Sequence, residues 1–226
     1  LFKFAATEVR EILASLGFKS VNEIIGRTDL LSQVNKGASN LDDLDLNPLL
    51  VQADPGENLR YCKDKHINKV PDNLDEKIWS DIKKNIDPNK KNNFNYEVEN
   101  TSRSVGTRLS HYIYKTYGNN KLPDDTINIK LTGSAGQSLG AFLTKGIKLT
   151  VQGDCNDYVG KGLSGGTITV YPSSKNKLIS NENTIIGNTV LYGATTGKLF
   201  ASGQAGERFA VRNSGSLSVI EGCGAH

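Results

Sequence analysis

Methionine is absent from the 226 residues, tryptophan occurs once, and cysteine and histidine occur three times each. Cysteines as widely spread as Cys62, Cys155 and Cys223 make no disulfide framework and no metal-binding spacing. A reducing compartment is therefore the simpler expectation. His111 lies in a helical pattern, His66 in a polar stretch and His226 at the end, so no two histidines argue for a metal pair. No apolar run approaches the roughly 20 residues that cross a bilayer, which gives no reason to expect a membrane span. Charge is nearly balanced: 27 basic residues against 24 acidic leave +3. So weak an excess gives no reason to expect a nucleic-acid partner. Leu1-Phe-Lys-Phe4 lacks the charged head and cleavage site of a signal peptide. With no Met at position 1, the chain is expected to be a piece of a longer polypeptide.

Glycine is what the chain has in quantity. Of 23 glycines, 17 follow residue 130, whereas Pro172 is the one proline in that half. Two segments of different character meet near Leu131.

In the first segment, Val9, Ile12, Leu13 and Leu16 share one helical face over residues 7–17, with Thr7 placed to cap the start and Gly17 to end it. Ser20 and Glu23 have capping-box spacing before a short helix that closes at Gly26. Periodicity fades from Gly37 to Asn73. There Asp42, Asp43 and Asp45 lack the glycine and distal glutamate of a calcium loop, and read as solvated linker. Pro71 and Pro88 bracket a helix with Leu74, Ile78 and Ile82 on one face and Trp79 beside them. Lysine and asparagine dominate residues 83–93 as a polar surface loop. Phe94, Tyr96 and Val98 alternate as a strand; Val105, Leu109, Tyr112 and Ile113 return to helical spacing and stop at Gly118.

The second segment reads as short strands separated by glycine: 127–131, 148–151, 167–171, 184–186, 189–192, 198–200, 208–211 and 217–220. Gly133, Gly153, Gly187, Gly203 and Gly222 recur around them at intervals of 16 to 34 residues, several close to 20. Repeats of about 20 residues with a few short strands each predict a solenoid, here a parallel β-helix whose corners use glycine for positive φ. Gly160-Lys-Gly162-Leu-Ser-Gly165 matches a dinucleotide fingerprint in letters only. A strand at 167–171 should follow it, where a pyrophosphate site needs a helix. A P-loop is excluded because Cys155 and Gly162 occupy its first glycine and its hydroxyl position. Asp154, Asn156, Asp157, Glu207, Arg208, Arg212 and Asn213 could compose a carboxylate–arginine site, but in stacked coils such residues more often satisfy corner backbone groups. Tyr158, Tyr171 and Tyr192 are explained as well by packing as by ligand stacking.

Four long motifs then carry a resemblance. Residues 131–142 (Leu-Thr-Gly-Ser-Ala-Gly-Gln-Ser-Leu-Gly-Ala-Phe), 153–166, 187–197 and 205–215 closely resemble the C-terminal domain of the glutamate synthase large subunit. Residues 5–18 and 23–31, in the same order, resemble the end of its FMN-binding synthase domain. The resemblance implies a mainly β fold, a right-handed parallel β-helix preceded by short helices from the synthase domain. It implies residues 1–50 as the tail of that domain, 51–125 as a connecting segment with helices, and 126–226 as the glycine-rich β-helix, ending inside the domain.

By the same resemblance, the whole enzyme makes two L-glutamate from L-glutamine and 2-oxoglutarate. An N-terminal cysteine releases ammonia, which reaches the synthase site through a tunnel. There 2-iminoglutarate is reduced with FMN, fed through a [3Fe-4S] cluster. Leu1 is not that cysteine, and Cys62, Cys155 and Cys223 are too far apart for cluster ligands. Cys155 stands where the family usually has Ala, and Gly224-Ala225-His226 where Gly-Asp-His would continue. The expected catalytic, cofactor-binding and metal-binding residues of this segment are therefore none. Its expected role is a scaffold bracing the catalytic domains, and its partners are the remaining domains of the same polypeptide. Motif wording leans toward reduced ferredoxin as donor, and the lysine- and asparagine-heavy loops toward a plastid. A pyridine-nucleotide enzyme with a FAD-bearing partner, and a cytoplasmic location, are the alternatives. The competing class is a stand-alone β-helix that binds carbohydrate or a protein partner without catalysis.

Overall fold

A computed structural model describes residues 1–34, 43–64, 68–118, 122–173 and 175–224. Gly37, Asp42, His66 and the terminal Ala225-His226, all named above, lie outside the described residues. The chain divides into two compact units, Leu1–Lys69 and Val70–His226.

In the first unit, α1 (Phe2–Ser15) begins five residues before the expected start. Thr7 is consequently inside it, its hydroxyl donating to Lys3 O at 3.0 Å in place of a cap. Gly17, at φ +80°, ends the helix as expected, with Phe18 N donating back to Leu13 O. Ser20 Oγ donates to Glu23 Oε1 beside a single 3-10 turn, Val21–Glu23, and no side chain caps its backbone. Leu13 is the one buried side chain of α1; Val9, Ile12 and Leu16 are exposed.

In the second unit, α2 (Leu74–Asn85) lies between the two prolines, with Asn73 Oδ1 accepting from Asp75 N at its start. Its Ile78 and Ile82 are fully buried. Strand β1 (Asn92–Val98) and helix α3 (Thr107–Tyr117) follow at their expected places. Eight further strands come next: β2 (Ile127–Ala135), β3 (Ile147–Cys155), β4 (Ser164–Tyr171), β5 (Thr184–Ile186), β6 (Thr196–Ala201), β7 (Gln204–Ala205), β8 (Leu217–Val219) and β9 (Gly222–Cys223). The fold is mainly parallel β with few helices. All eight strand ladders among the described residues are parallel, in the order β1-β2-β3-β4-β6-β8, with a second row β3-β5-β7-β9. Hairpins, the mark of a sandwich, are absent among these residues.

Register aligns the side chains of successive strands. Partners Ile127↔Ile147, Lys148↔Thr167, Thr167↔Lys198 and Lys198↔Leu217 lie 20, 19, 31 and 19 residues apart. The long interval holds the segment 172–183. Alternate residues of each strand face inward, so Ile129, Leu149, Ile168 and Leu199 form one aliphatic column and Leu131, Val151, Val170 and Ala201 another. Burying each such side chain stabilises the fold by about 1.5–3 kcal/mol. α2, α3 and β1 join the same core through Ile78, Ile82, Leu109, Ile113 and Val98. They thus share one compact unit with the glycine-rich half.

Two of the expected strands are not strands. Residues 189–192 and 208–211 belong to turns, because their backbone alternates between right- and left-handed conformations and cannot pleat.

Candidate functional site: stacked corners and a helix clamp

Four six-residue corners, 137–142, 157–162, 188–193 and 207–212, are superposed along the ladder direction. In every one the second, fourth and sixth residues are left-handed, with φ between 56° and 65°. Eight of these twelve are not glycine: Ser138, Phe142, Tyr158, Thr189, Leu191, Arg208, Ala210 and Arg212. That corrects the expectation that corner glycines supply the positive φ. Such a conformation costs a non-glycine residue about 1–2 kcal/mol.

Interlayer hydrogen bonds offset the cost. Second-position amides reach forward to the next corner: Ser138 to Asp157 O, Tyr158 to Asn188 O and Thr189 to Glu207 O, at 2.8–2.9 Å. Fourth-position amides reach back one: Gly160 to Leu139 O, Leu191 to Val159 O and Ala210 to Val190 O. Sixth-position amides again reach forward: Phe142 to Lys161 O, Gly162 to Tyr192 O and Gly193 to Val211 O. The third residues, Leu139, Val159 and Val190, are buried inward.

This arrangement settles the motif look-alikes. Gly160 and Gly162 spend their amides on neighbouring corners and lead into β4, so they present no free donors for a phosphate. Asp157 Oδ1 accepts from Asn188 N at 2.7 Å, and Asn188 Oδ1 accepts from Glu207 N at 2.8 Å. Asn156 Oδ1 accepts from Asp157 N while its Nδ2 donates to Asn100 Oδ1. Asn213 Oδ1 accepts from Gly215 N and Ser216 N. These polar residues are corner braces, as the backbone-satisfaction reading expects, and Glu207 makes no ion pair with Arg208 or Arg212 among the described residues.

A clamp between α2 and α3 was not anticipated. Asp75 is fully buried. Its Oδ1 accepts from Gly106 N at 2.7 Å and its Oδ2 from Arg108 N and Leu109 N at 2.9 and 3.1 Å, capping α3 from 31 residues away. Burial pushes this carboxyl above its ordinary range, with the three amides and Arg108 pulling the other way. Beside it, Glu76 Oε1 accepts from Tyr112 Oη and Arg108 Nη1, both at 2.7 Å, and these two partners lower its pKa. Trp79 stacks on Tyr112 with centroids 5.2 Å apart, and Tyr96 Oη donates to Asp81. The one hint in the sequence is that Gly106, which precedes α3 at φ +97°, has no side chain to cap it.

Cys155 and Cys223 stand well apart. Cys155 pairs through Ile186 and Ala205 to Cys223, three rungs or about 14 Å along the ladder. Cys62 belongs to the other unit, and no three metal-ligating side chains converge among the described residues. Burial, with a smaller contribution from Asp154, raises the Cys155 thiol far above its ordinary value. His111 is exposed on α3. Among the described residues no helix is long and apolar enough to cross a membrane.

Parallel strand ladders joined by left-handed corners form the larger unit, and residues 75–226 match the family model described as the GXGXG motif. The chain belongs to that family. It is 61% identical over 226 residues to the glutamate synthase [NADPH] large chain of Azospirillum brasilense, covering all of this chain and 15% of that protein. Against the large chain of Bacillus subtilis the figures are 47%, 99% and 15%. Against ferredoxin-dependent glutamate synthase 2 of Synechocystis they are 45%, 100% and 15%. The chain therefore spans about one-seventh of the length of these relatives.

Proposed function

We propose that the chain is a segment of a glutamate synthase that makes two L-glutamate from L-glutamine and 2-oxoglutarate, and that it acts as a scaffold. The observation that carries this reading is the 61% identity over the whole chain to a glutamate synthase large chain. The windings are a right-handed β-helix, with 1–50 as the tail of the FMN-binding domain, 51–125 as connector and 126–226 as the β-helix domain. No catalytic, cofactor-binding or metal-binding residue is assigned to it. FMN and a [3Fe-4S] cluster, held elsewhere in the long polypeptide, would supply the reducing electrons. The chemistry-bearing side chains described above support this, since the carboxylates and amides are engaged with backbone.

A rigid module can hold a glutaminase and a synthase site in fixed relation, which a tunnelled reaction needs. In the full-length enzyme, a corner-disrupting substitution is expected to raise glutamine hydrolysed per glutamate formed, or to prevent folding. Unchanged coupling in an enzyme lacking this segment would overturn the scaffold role.

For the donor, the motif wording favours reduced ferredoxin, and the lysine- and asparagine-heavy loops favour a plastid stroma. The higher identity to the NADPH chain than to the ferredoxin-dependent ones, 61% against 45%, favours the second reading, a pyridine-nucleotide enzyme of the cytoplasm with a FAD-bearing partner. Assaying the full-length enzyme with each reductant in turn decides between them.

A further inference from the structure

Two cavities open along one face of α3, both within the larger unit. The first, about 550 Å³, is lined by Thr101, Arg103, Ser104, Thr107, Arg108 and His111 among others. The second, about 500 Å³, is lined by Thr107, His111, Tyr114, Phe142, Thr144 and Ser164 among others. Thr107 and His111 belong to both, so the cavities adjoin as one groove. Thr107, His111 and Tyr114 stand at i, i+4 and i+7, the spacing of a single helix face. Each half has the size of a small-molecule site.

The two ends differ in chemistry. At the first, Arg108 is fixed by Glu76 and by Pro71 O, while Arg103 has no carboxylate partner among the described residues. Asp72 is the one carboxylate lining either cavity. Asp75 already takes the first-turn amides of α3, so recognition at this end falls to side chains: two guanidiniums, the Thr101 and Ser104 hydroxyls and the His111 imidazole. At the second end stand two exposed rings, Tyr114 and Phe142, which make no contact with each other. A Cβ on Gly162 would meet the Phe142 ring, so the following corner backs that ring as a platform. Between Thr107 and Tyr114 the helix rises about 10 Å, comparable with the phosphate-to-base span of a mononucleotide.

We propose that this groove binds a nucleoside monophosphate, with its phosphate at Arg103 and Arg108 and its base at Tyr114 and Phe142. Two guanidiniums with neighbouring hydroxyls suit the three terminal oxygens of a phosphate better than the two of a carboxylate. A base suits the far end because its face stacks on aromatic side chains while its polar edge meets the Thr144 and Ser164 hydroxyls. The inference does not depend on which reaction the long polypeptide performs, and its readout is binding.

The test titrates the 226-residue chain with adenosine monophosphate in a calorimeter. Saturable binding is expected, weakened about tenfold each by Arg103→Ala and Tyr114→Ala, both exposed positions, and unchanged by Lys177→Ala, an exposed cation outside the groove. Adenosine and inorganic phosphate, titrated separately, should each bind more weakly than the whole nucleotide. Circular dichroism establishes that each variant is folded; should Tyr114→Ala unfold the chain, Tyr114→Leu, which keeps bulk and removes the ring, replaces it. No saturable binding, or equal loss in Lys177→Ala, overturns the proposal. Inorganic phosphate binding as tightly as the nucleotide, with no effect at Tyr114, overturns it in favour of a simple anion cavity.

Discussion

Replacing Gly153 with alanine should destabilise the chain far more than the same replacement at Gly193, although both are glycines with positive φ. Gly153 lies in β3 directly opposite Gly133 of β2. A Cβ at 153 would overlap Gly133 O, a backbone atom that cannot rotate away. Parallel strands stand about 4.8 Å apart, and restoring an ordinary carbon–oxygen contact would separate the two strands locally by about 1 Å. Overpacking of that kind costs about 1–3 kcal/mol, and stretching one or two ladder hydrogen bonds adds about 1 kcal/mol each. The sum is about 2–5 kcal/mol, a large share of the stability of an ordinary domain. Gly193, at φ +64°, has no atom within 4 Å of its missing Cβ. Its replacement carries only the left-handed penalty, about 1–2 kcal/mol, which Arg212 already bears at the sixth position of the next corner. Urea unfolding of both variants, followed by far-ultraviolet dichroism and by the single Trp79, reads the difference. A Gly153→Ala chain within 1 kcal/mol of the parent, or less affected than Gly193→Ala, would refute the stacked-register account.

Asp75→Ala should cost about 3 kcal/mol, because it strands the Gly106, Arg108 and Leu109 amides; urea midpoints measure it, and a loss below 1 kcal/mol would contradict the clamp. Because the folded-state pKa of Asp75 is raised, the native chain binds its proton more tightly than the unfolded chain, and this group's contribution to stability increases as pH falls toward the ordinary carboxylate range near 4. The stability gap between the parent and Asp75→Asn is thus expected to widen from pH 7 to pH 5, and a narrowing gap would refute the assignment. Iodoacetamide at pH 8 should label exposed Cys62 and Cys223 in the native chain and Cys155 only in urea, as mass spectrometry would read; prompt triple labelling counts against a sealed core. Leu149→Ala, in the central aliphatic column, should cost 2–5 kcal/mol by urea unfolding.

Strand positions were legible wherever β-branched residues alternated, as at Thr167–Tyr171 and Thr184–Ile186, since pleating leaves a two-residue signature. Helices α2 and α3 were legible from their flanking prolines and glycine. Thr189–Tyr192 and Arg208–Val211 misled because their composition is β-like while their backbone alternates hand. Val190 and Leu191 are buried as the third and fourth residues of their corner while Val211, fifth in its own, is exposed, a pattern no propensity describes. The polar corner residues were legible in role though not in pairing: that Asp157 would meet Asn188 follows from the 31-residue interval, whose length the sequence leaves open. Asp75 escaped notice because an aspartate in a helix's first turn ordinarily faces water, and its partners enter from a distant element.

The uneven interval between β4 and β6 bears on engineering. Corner amides bond alternately forward and back, so lengthening any of the four corners by one residue would throw every later bond out of phase. The interval from β4 to β6 is about a dozen residues longer than those between the other paired strands, yet Ile168 and Leu199 remain partners. Its exposed Leu178 and Ile179 contribute nothing to the aliphatic columns. Foreign sequence, from an affinity tag to a reporter domain, is best grafted there, where the circuit can grow outward while the ladder on either side keeps its step.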